Sequence, residues 1–347
     1  MIDSLITLKP VKKAISYIIM MVLPTLMIAG CTGGKSWQRD SGMIWHTTWH
    51  ATWLGTEDML PSVIDSLRSV EKSLSSFDPN SLISAINKSE SGPVDRHLRK
   101  VYEMSRTVNK RSNGMFDPTI SRLIDIWGFG KDHTPSADTA MIAAILPSTG
   151  IGKTHIENGV LYKDNPDISF NFSAIAKGYG VDVAATALEN LGCHDLMVEI
   201  GGEIVCRGRN KEGNKWRIQI ETPDEEYLRE VFDNNSKPVF SESIIVELDN
   251  EALATSGNYR NYRKGSGQTY GHTISPVTGY PAVTDILSAS VIAPSCMEAD
   301  AMATACMAAG SEKGMEMLTS EGLAGAFILY SGEVVVNDMM LEHLLKK

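Results

Sequence analysis

Helical and strand periodicities alternate irregularly along this chain, and that irregularity constrains what it can fold into. Leu60, Val63, Ile64, Leu67, Val70 and Leu74 recur at intervals of three and four, which predicts an amphipathic helix ending near Ser75. Val94, Leu98, Val101, Tyr102, Ser105 and Val108 repeat the pattern, and Gly114 lies just beyond. From Leu161 to Phe172 an extended, partly alternating stretch leads to Ser173, after which Ala176 to Leu191 reads as a helix stopped by Gly192. Leu196 to Ile200, Trp216 to Ile220, Val239 to Leu248, Ala326 to Tyr330 and Glu333 to Val336 read as strands, the last two joined by a two-residue turn at Ser331-Gly332. No internal period of roughly 20 to 50 residues appears, so repeat architectures are excluded. The pattern predicts a mixed α+β chain rather than a doubly wound parallel sheet.

Only part of the chain is expected to enter that fold. Lys9, Lys12 and Lys13 precede a run from Ala14 to Gly30 that is apolar apart from Ser16, Pro24 and Thr25. It closes on Ile28-Ala29-Gly30-Cys31, the organisation of a secretory signal with small residues at its cleavage point. The run falls short of the roughly 20 apolar residues of a spanning helix and contains Pro24, which makes a transmembrane segment the weaker reading. Leu26-Met27-Ile28-Ala29-Gly30 before Cys31 resembles a bacterial lipobox, which implies lipidation of Cys31 and attachment to a membrane surface. Thr32 to Asp40 is polar with paired glycines and reads as a tether. The expected organisation is a signal peptide over 1–30, a lipidated cysteine and tether over 31–41, and a folded domain over 42–347. A domain of roughly 300 residues can hold a large single core or two intimately packed lobes.

The formal charge of −10, with three leader lysines set against Asp3, leaves the remainder near −12, so nucleic acid is excluded as a partner. Cys193, Cys206, Cys296 and Cys306 show no metal-like spacing and lie among apolar or small residues. They read as buried free thiols, with one disulfide open to an oxidising compartment.

Three segments carry polar groups and glycines that packing alone does not require. Ser173-Ala174-Ile175-Ala176-Lys177-Gly178-Tyr179 sits where a strand gives way to a helix, a natural seat for phosphate to which Lys177 adds a full charge. Taken alone, Lys177 reads equally as a solvated first-turn lysine. Ala252 to Tyr259, followed by Tyr270 to Pro281, places His272 in a loop stiffened by two prolines and two glycines, a setting that no other histidine of the chain shares. Glu298-Ala299-Asp300-Ala301-Met302-Ala303-Thr304 opens a helix of small residues on which Asp300 and Thr304, four apart, share a face. One carboxylate and one hydroxyl, completed by main-chain and phosphate oxygens, suit Mg²⁺ better than zinc. Alone, the same pair also reads as a dipole-favoured aspartate and a threonine bonded to the preceding turn.

In order along the chain, these segments resemble the flavin transferase family, the FAD:protein FMN transferases of the ApbE type. The resemblance includes Glu71-Lys72-Ser73-Leu74-Ser75, Phe77-Asp78-Pro79-Asn80-Ser81 and Asn87, then Asn113-Gly114-Met115-Phe116-Asp117-Pro118-Thr119 and Trp127-Gly128-Phe129-Gly130. It continues through Ala174 to Tyr179 with Asp182, Glu199-Ile200-Gly201-Gly202-Glu203, Thr255-Ser256-Gly257, His272, Pro276-Val277-Thr278-Gly279, Pro281, Ala299-Asp300 and Thr304. It implies an α+β, T-fold-related architecture of mixed sheets and packed helices, with an FAD cleft between two intimately packed lobes.

By the same resemblance, Mg²⁺ is held by the Ala174 carbonyl and the Asp300 and Thr304 side chains. FAD lies along Trp45, Phe77, Gly114, Met115, Phe116, Asp117, Lys177, Thr255, Ser256 and His272. The chain departs from the family at Trp45-His46-Thr47, where members often have Met-Gly-Thr. Trp45 offers a ring for stacking, while His46 in place of glycine changes how closely the backbone approaches.

The implied reaction is Mg²⁺-dependent cleavage of FAD, attachment of FMN through a phosphoester to a threonine or serine of an acceptor protein, and release of AMP. Lys177 and His272 are the expected catalytic residues, with Asp117 and Ser256 as alternatives for the proton role. The family implies an acceptor among subunits of membrane electron-transfer complexes, and a lipid-anchored site of action in the cell envelope, facing the periplasm. The alternatives are a Mg²⁺-dependent FAD pyrophosphatase, which would release free FMN, and an FAD-binding lipoprotein without chemistry.

Overall fold

The computed structural model describes residues 34–130, 134–222, 244–259, 262–265 and 268–345. The signal, Cys31 and the Val239 to Ser243 portion of one expected strand lie outside them. The described residues from Trp37 onward belong to one compact unit. Its strands are β1 (Ser36–Ile44), β2 (Thr47–Gly55), β3 (Ser91–Pro93), β4 (Thr154–Glu157), β5 (Val160–Lys163), β6 (Leu196–Ile200), β7 (Glu203–Arg207), β8 (Trp216–Ile220), β9 (Ile244–Leu248), β10 (Ala252–Gly257), β11 (Tyr262–Gly265), β12 (Gln268–Gly271), β13 (Ile286–Ala293), β14 (Ala324–Leu329) and β15 (Val334–Val336). The expected tether therefore ends earlier than Ser41: the chain is already in β1 from Ser36, because backbone pairing with β2 needs no apolar alternation in the sequence.

Eight strands form one sheet in the order β1-β2-β6-β7-β10-β13-β14-β15. The register is antiparallel from β2 through β15, for example Trp49 with Ile200, Leu196 with Arg207, Ala252 with Val205 and with Ala293, and Ala326 with Val336. Helices Ser173–Asn190 and Cys296–Ala309 cover one face, where Ala254, Ala289, Val291, Ile175, Met302 and Ala303 share a core. The β8–β9 hairpin covers the other, where Trp216, Ile218 and Val246 pack against Leu253, Ile292 and Ala326. Strand β13 is buried along all eight residues because both faces are covered.

The expected helices form as Leu60–Leu74, Arg96–Arg111 and Ser173–Asn190. Asp95 caps the second, its side chain accepting the Leu98 N–H at 2.8 Å. The third begins three residues earlier than the apolar pattern suggests, and of the extended stretch expected from Leu161 to Phe172 only the first three residues are strand, in Val160–Lys163. The β14–β15 turn is longer than expected. Leu329 and Glu333 bond across it at 2.9 Å, so Tyr330, Ser331 and Gly332 form a three-residue loop closed by Gly332 at φ 87°.

The Lys177 helix, Ser173–Asn190, and the Asp300 helix, Cys296–Ala309, cross at Gly178. A Cβ there would stand 2.3 Å from the Cys296 carbonyl oxygen and 2.8 Å from the Asp300 Cβ. Asp182, one turn on, accepts the Cys296 and Met297 N–H groups at 2.9 Å each, capping one helix with a side chain of the other. Gly178→Ala should lower stability by about 2 kcal/mol, because overpacking outweighs the gain of roughly 1 kcal/mol in helix propensity. The measurement is the thermal midpoint, and an unchanged or raised value would mean that the helices separate freely.

Candidate active site

At this crossing a cavity of about 460 Å³ opens. Its wall includes Trp45, Phe77, Met115, Phe116, Asp117, Ala174, Lys177, Thr255, Ser256, His272, Asp300 and Thr304, side chains drawn from seven separate stretches of sequence. Gly114 alone among the expected residues is off the wall. With Asn113 at φ 50° and Gly114 at φ 82°, it makes the left-handed turn that carries Met115, Phe116 and Asp117 to the cavity.

Trp45 and His46 form the two-residue turn between β1 and β2, both with positive φ (49° and 61°), the conformation of a tight I′ hairpin normally given to glycine or asparagine. The Trp45 ring lies over Gly180 of the Lys177 helix, where a Cβ would be 2.2 Å from the ring. The tryptophan and this glycine are thus complementary, and the aromatic wall depends on both.

The charged wall is built from the helix crossing and a glycine turn. Asp300 is buried and accepts the Gly178 N–H at 3.0 Å through Oδ2. In a regular helix that N–H closes on the Ala174 carbonyl, so sharing it with Asp300 relaxes the demand on an oxygen at the cavity wall. Gly201 and Gly202, at φ 62° and 104°, turn β6 into β7 and deliver Glu203 to the same wall. Glu203 is 1% exposed, holds Lys177 Nζ at 2.5 Å through Oε1, and has no hydrogen-bond partner at Oε2. Burial pushes its carboxyl up to about 7, with the Lys177 ammonium pulling back and the Asp300 charge adding to the rise. Burial likewise holds Asp300 above the usual carboxylate range, opposed by Lys177.

Two buried carboxyls beside one ammonium form a desolvated site, and a cation bound there would favour their ionised forms. Among the described residues no three His, Cys, Asp or Glu side chains cluster as a metal cage. A cation here would take mixed oxygen donors: the Asp300 carboxylate, the Thr304 hydroxyl and the Ala174 carbonyl, a set suited to Mg²⁺.

Trp127 Nε1 donates to the Gly279 carbonyl at 2.8 Å, Arg263 donates to the Gly128 carbonyl at 2.9 Å, and the Phe129 ring meets His272 edge-on at 6.2 Å. The Trp127-Gly128-Phe129 segment therefore grips the loop that presents His272. Asp117 has a different task. Its Oδ1 accepts the Thr119 N–H and hydroxyl at 2.9 and 2.6 Å, and its Oδ2 accepts from Ile151 N and Asn109 Nδ2 at 2.9 and 3.3 Å. Four donors commit the carboxylate to holding the wall, which removes it as the alternative proton acceptor. Thr255 Oγ1 is 2.8 Å from Ser290 Oγ, leaving Ser256 beside it on the cavity.

Glu203 and Asn171 are among the wall residues that had no role assigned from sequence. Glu203 stands in the Glu199-to-Glu203 motif, where a carboxylate after two glycines reads as turn surface, and only β6–β7 pairing turns it inward. Asn171 lines the cavity and accepts the Ser173 N–H at 2.9 Å, capping the Lys177 helix just where its sequence lacks a conventional cap.

The ApbE family model matches residues 42–327. The chain belongs to the ApbE family. It is 35% identical to the FAD:protein FMN transferase of Vibrio cholerae over 84% of this chain and 86% of the relative. It is 32% identical to that of Haemophilus influenzae over 92% and 93%. Among solved structures, the flavin transferase ApbE from Vibrio cholerae superposes with a TM-score of 0.78 at 30% identity, over 89% of this chain and all of that one. The apo flavinyl transferase ApbE of Pseudomonas stutzeri gives 0.79 at 28% identity, over 90% and 98%. The mixed α+β architecture expected from the sequence is thus that of the ApbE fold.

Asp117→Asn should destabilise this ApbE-family protein by about 2–3 kcal/mol, since one carboxylate oxygen becomes a donor facing donors. The thermal midpoint reads it; a full midpoint with lost function would return Asp117 to the proton role.

Proposed function

We propose that this chain is a Mg²⁺-dependent FAD:protein FMN transferase that splits FAD at the pyrophosphate and esterifies FMN to a threonine or serine of an acceptor protein, releasing AMP. The observation that carries the reading is the meeting of Lys177, buried Asp300 and Thr304 on one wall of a cavity whose other walls are Trp45, Phe77 and Met115. Charge for a pyrophosphate and apolar surface for rings occur together, in a family whose relatives bear that activity in their names.

Phosphoryl transfer depends on neutralising charge and aligning the attacking and leaving oxygens. Asp300, Thr304 and the Ala174 carbonyl would hold Mg²⁺, which supplies the charge that offsets the pyrophosphate. Lys177 adds a second positive group, and Trp45 and Phe77 offer faces to the flavin or adenine ring. An imidazole nitrogen of His272 takes the acceptor's hydroxyl proton. The hydroxyl oxygen then forms a bond to the FMN phosphorus as the pyrophosphate P–O bond breaks, and the bridging oxygen leaves with AMP.

In this reading the protein acts at the cell envelope, facing the periplasm, anchored by a lipid on Cys31. Its acceptor is a membrane electron-transfer subunit.

With FAD, Mg²⁺ and a candidate acceptor, the acceptor's intact mass should rise by one FMN phosphoryl unit, and EDTA should abolish the gain. His272→Ala should lose transfer by at least about 100-fold while still binding FAD. FAD split without any mass gain would instead make the chain a pyrophosphatase, and intact FAD a binding protein. Cys31→Ser should move the full chain from the membrane to the soluble fraction and end incorporation of a labelled fatty acid; continued membrane retention would mean an uncleaved span.

A further inference from the structure

Glu203 is the least expected group on the cavity wall. It is a carboxylate 1% exposed, fixed at the mouth of a Gly-Gly turn, with Oε1 on Lys177 at 2.5 Å and Oε2 without a hydrogen-bond partner. Burying an ion this deeply is costly unless it offsets another charge. The charge it offsets is that of Lys177, whose side chain is 35% exposed and whose ammonium acts on Asp300 as well.

We infer that Glu203 is a positioning residue that acts through Lys177: it engages the ammonium from the β7 side and so keeps it from occupying the Asp300 carboxylate, where a divalent cation would bind. The inference rests on the cation reading of Asp300, Thr304 and the Ala174 carbonyl given above.

The two carboxylates compete for one ammonium. With Glu203 charged, Lys177 is compensated from β7, and the remaining charge of the wall resides on Asp300. With Glu203 replaced by glutamine, the ammonium that also acts on Asp300 loses its β7 counter-ion, and a cation arriving there must displace or tolerate a positive neighbour. The effect of Glu203 on cation binding should therefore vanish when Lys177 is also made neutral. A direct ligand would behave otherwise, since its loss is felt whatever stands at position 177.

The test is binding of Mn²⁺ alone, followed by its EPR signal and by calorimetry, with no FAD or acceptor present. The proteins are the unaltered chain, Glu203→Gln, Lys177→Met, the double variant, and Asp300→Asn. Glu203→Gln should weaken Mn²⁺ binding about tenfold, and Lys177→Met with Glu203→Gln should restore it to within about threefold of the unaltered chain. Asp300→Asn should remove binding. Mn²⁺ held as tightly by Glu203→Gln as by the unaltered chain, while Asp300→Asn loses it, would overturn the role of Glu203 and leave the cation site standing. A loss that persists in the double variant would also overturn it, making Glu203 a ligand itself. Unchanged binding by Asp300→Asn would overturn the cation site and the inference with it. Should Glu203→Gln fail to fold by its melting curve, Glu203→Asp, which retracts the carboxylate by one methylene, should give a smaller loss that Lys177→Met again restores; no such rescue would overturn the proposal.

Discussion

The contact on which the rest of this structure depends is the crossing of two helices at a glycine. Gly178 lets the Asp300 helix approach until the Cys296 carbonyl occupies the space of a side chain. The approach is then fixed by hydrogen bonds in both directions, from Gly178 N–H to Asp300 and from the Cys296 and Met297 N–H groups to Asp182. Asp182 ends up so enclosed that burial pushes its carboxyl up to about 6 despite those two donors. The sheet beneath needs only small side chains such as Ala254 and Ala289 where these helices rest, and the cavity opens where the crossing leaves polar groups uncovered.

This arrangement concentrates charge where packing would prefer none. Glu203 and Asp300 are both buried and both have carboxyls raised by that burial. A fold selected for stability alone would fill these positions with apolar groups of similar volume. Retaining them makes sense at a site that must receive a charged molecule, where stability is lost locally in exchange for a field already oriented before binding. The Trp45-His46 turn is of the same kind, since two non-glycine residues at positive φ cost energy to place one indole ring over Gly180.

Much of this was legible in the sequence, for physical reasons. Helices with one exposed face, such as Leu60–Leu74, announce themselves through spacing, and exposed-face strands such as Trp216–Ile220 through alternation. Strand β13 does neither, because both of its faces are covered and its residues are uniformly apolar or small. Strands β7 and β10 were hidden for a related reason: their residues serve turns and the cavity as well as the core. The wall residues were recognisable as a set because glycines and polar groups recur in places that packing does not explain. Single residues were harder. Gly114 works by bending the chain rather than touching the cavity, Asp117 supports the wall through four donors, and Glu203 faces inward only after β6 and β7 pair. Those are consequences of long-range pairing, which local composition does not encode.

No disulfide joins Cys193, Cys206, Cys296 and Cys306, all four are fully enclosed, and burial pushes the thiols of the last three well above the ordinary range. Oxidation proceeds through the thiolate and needs access, so the folded protein is close to inert toward disulfide exchange. The same four groups are ordinary, reactive thiols while the chain is unfolded. Their fate in an oxidising medium is therefore a race between burial and oxidation, decided before the native state exists. The yield of correctly folded chain should follow folding speed more than the redox buffer around the finished protein.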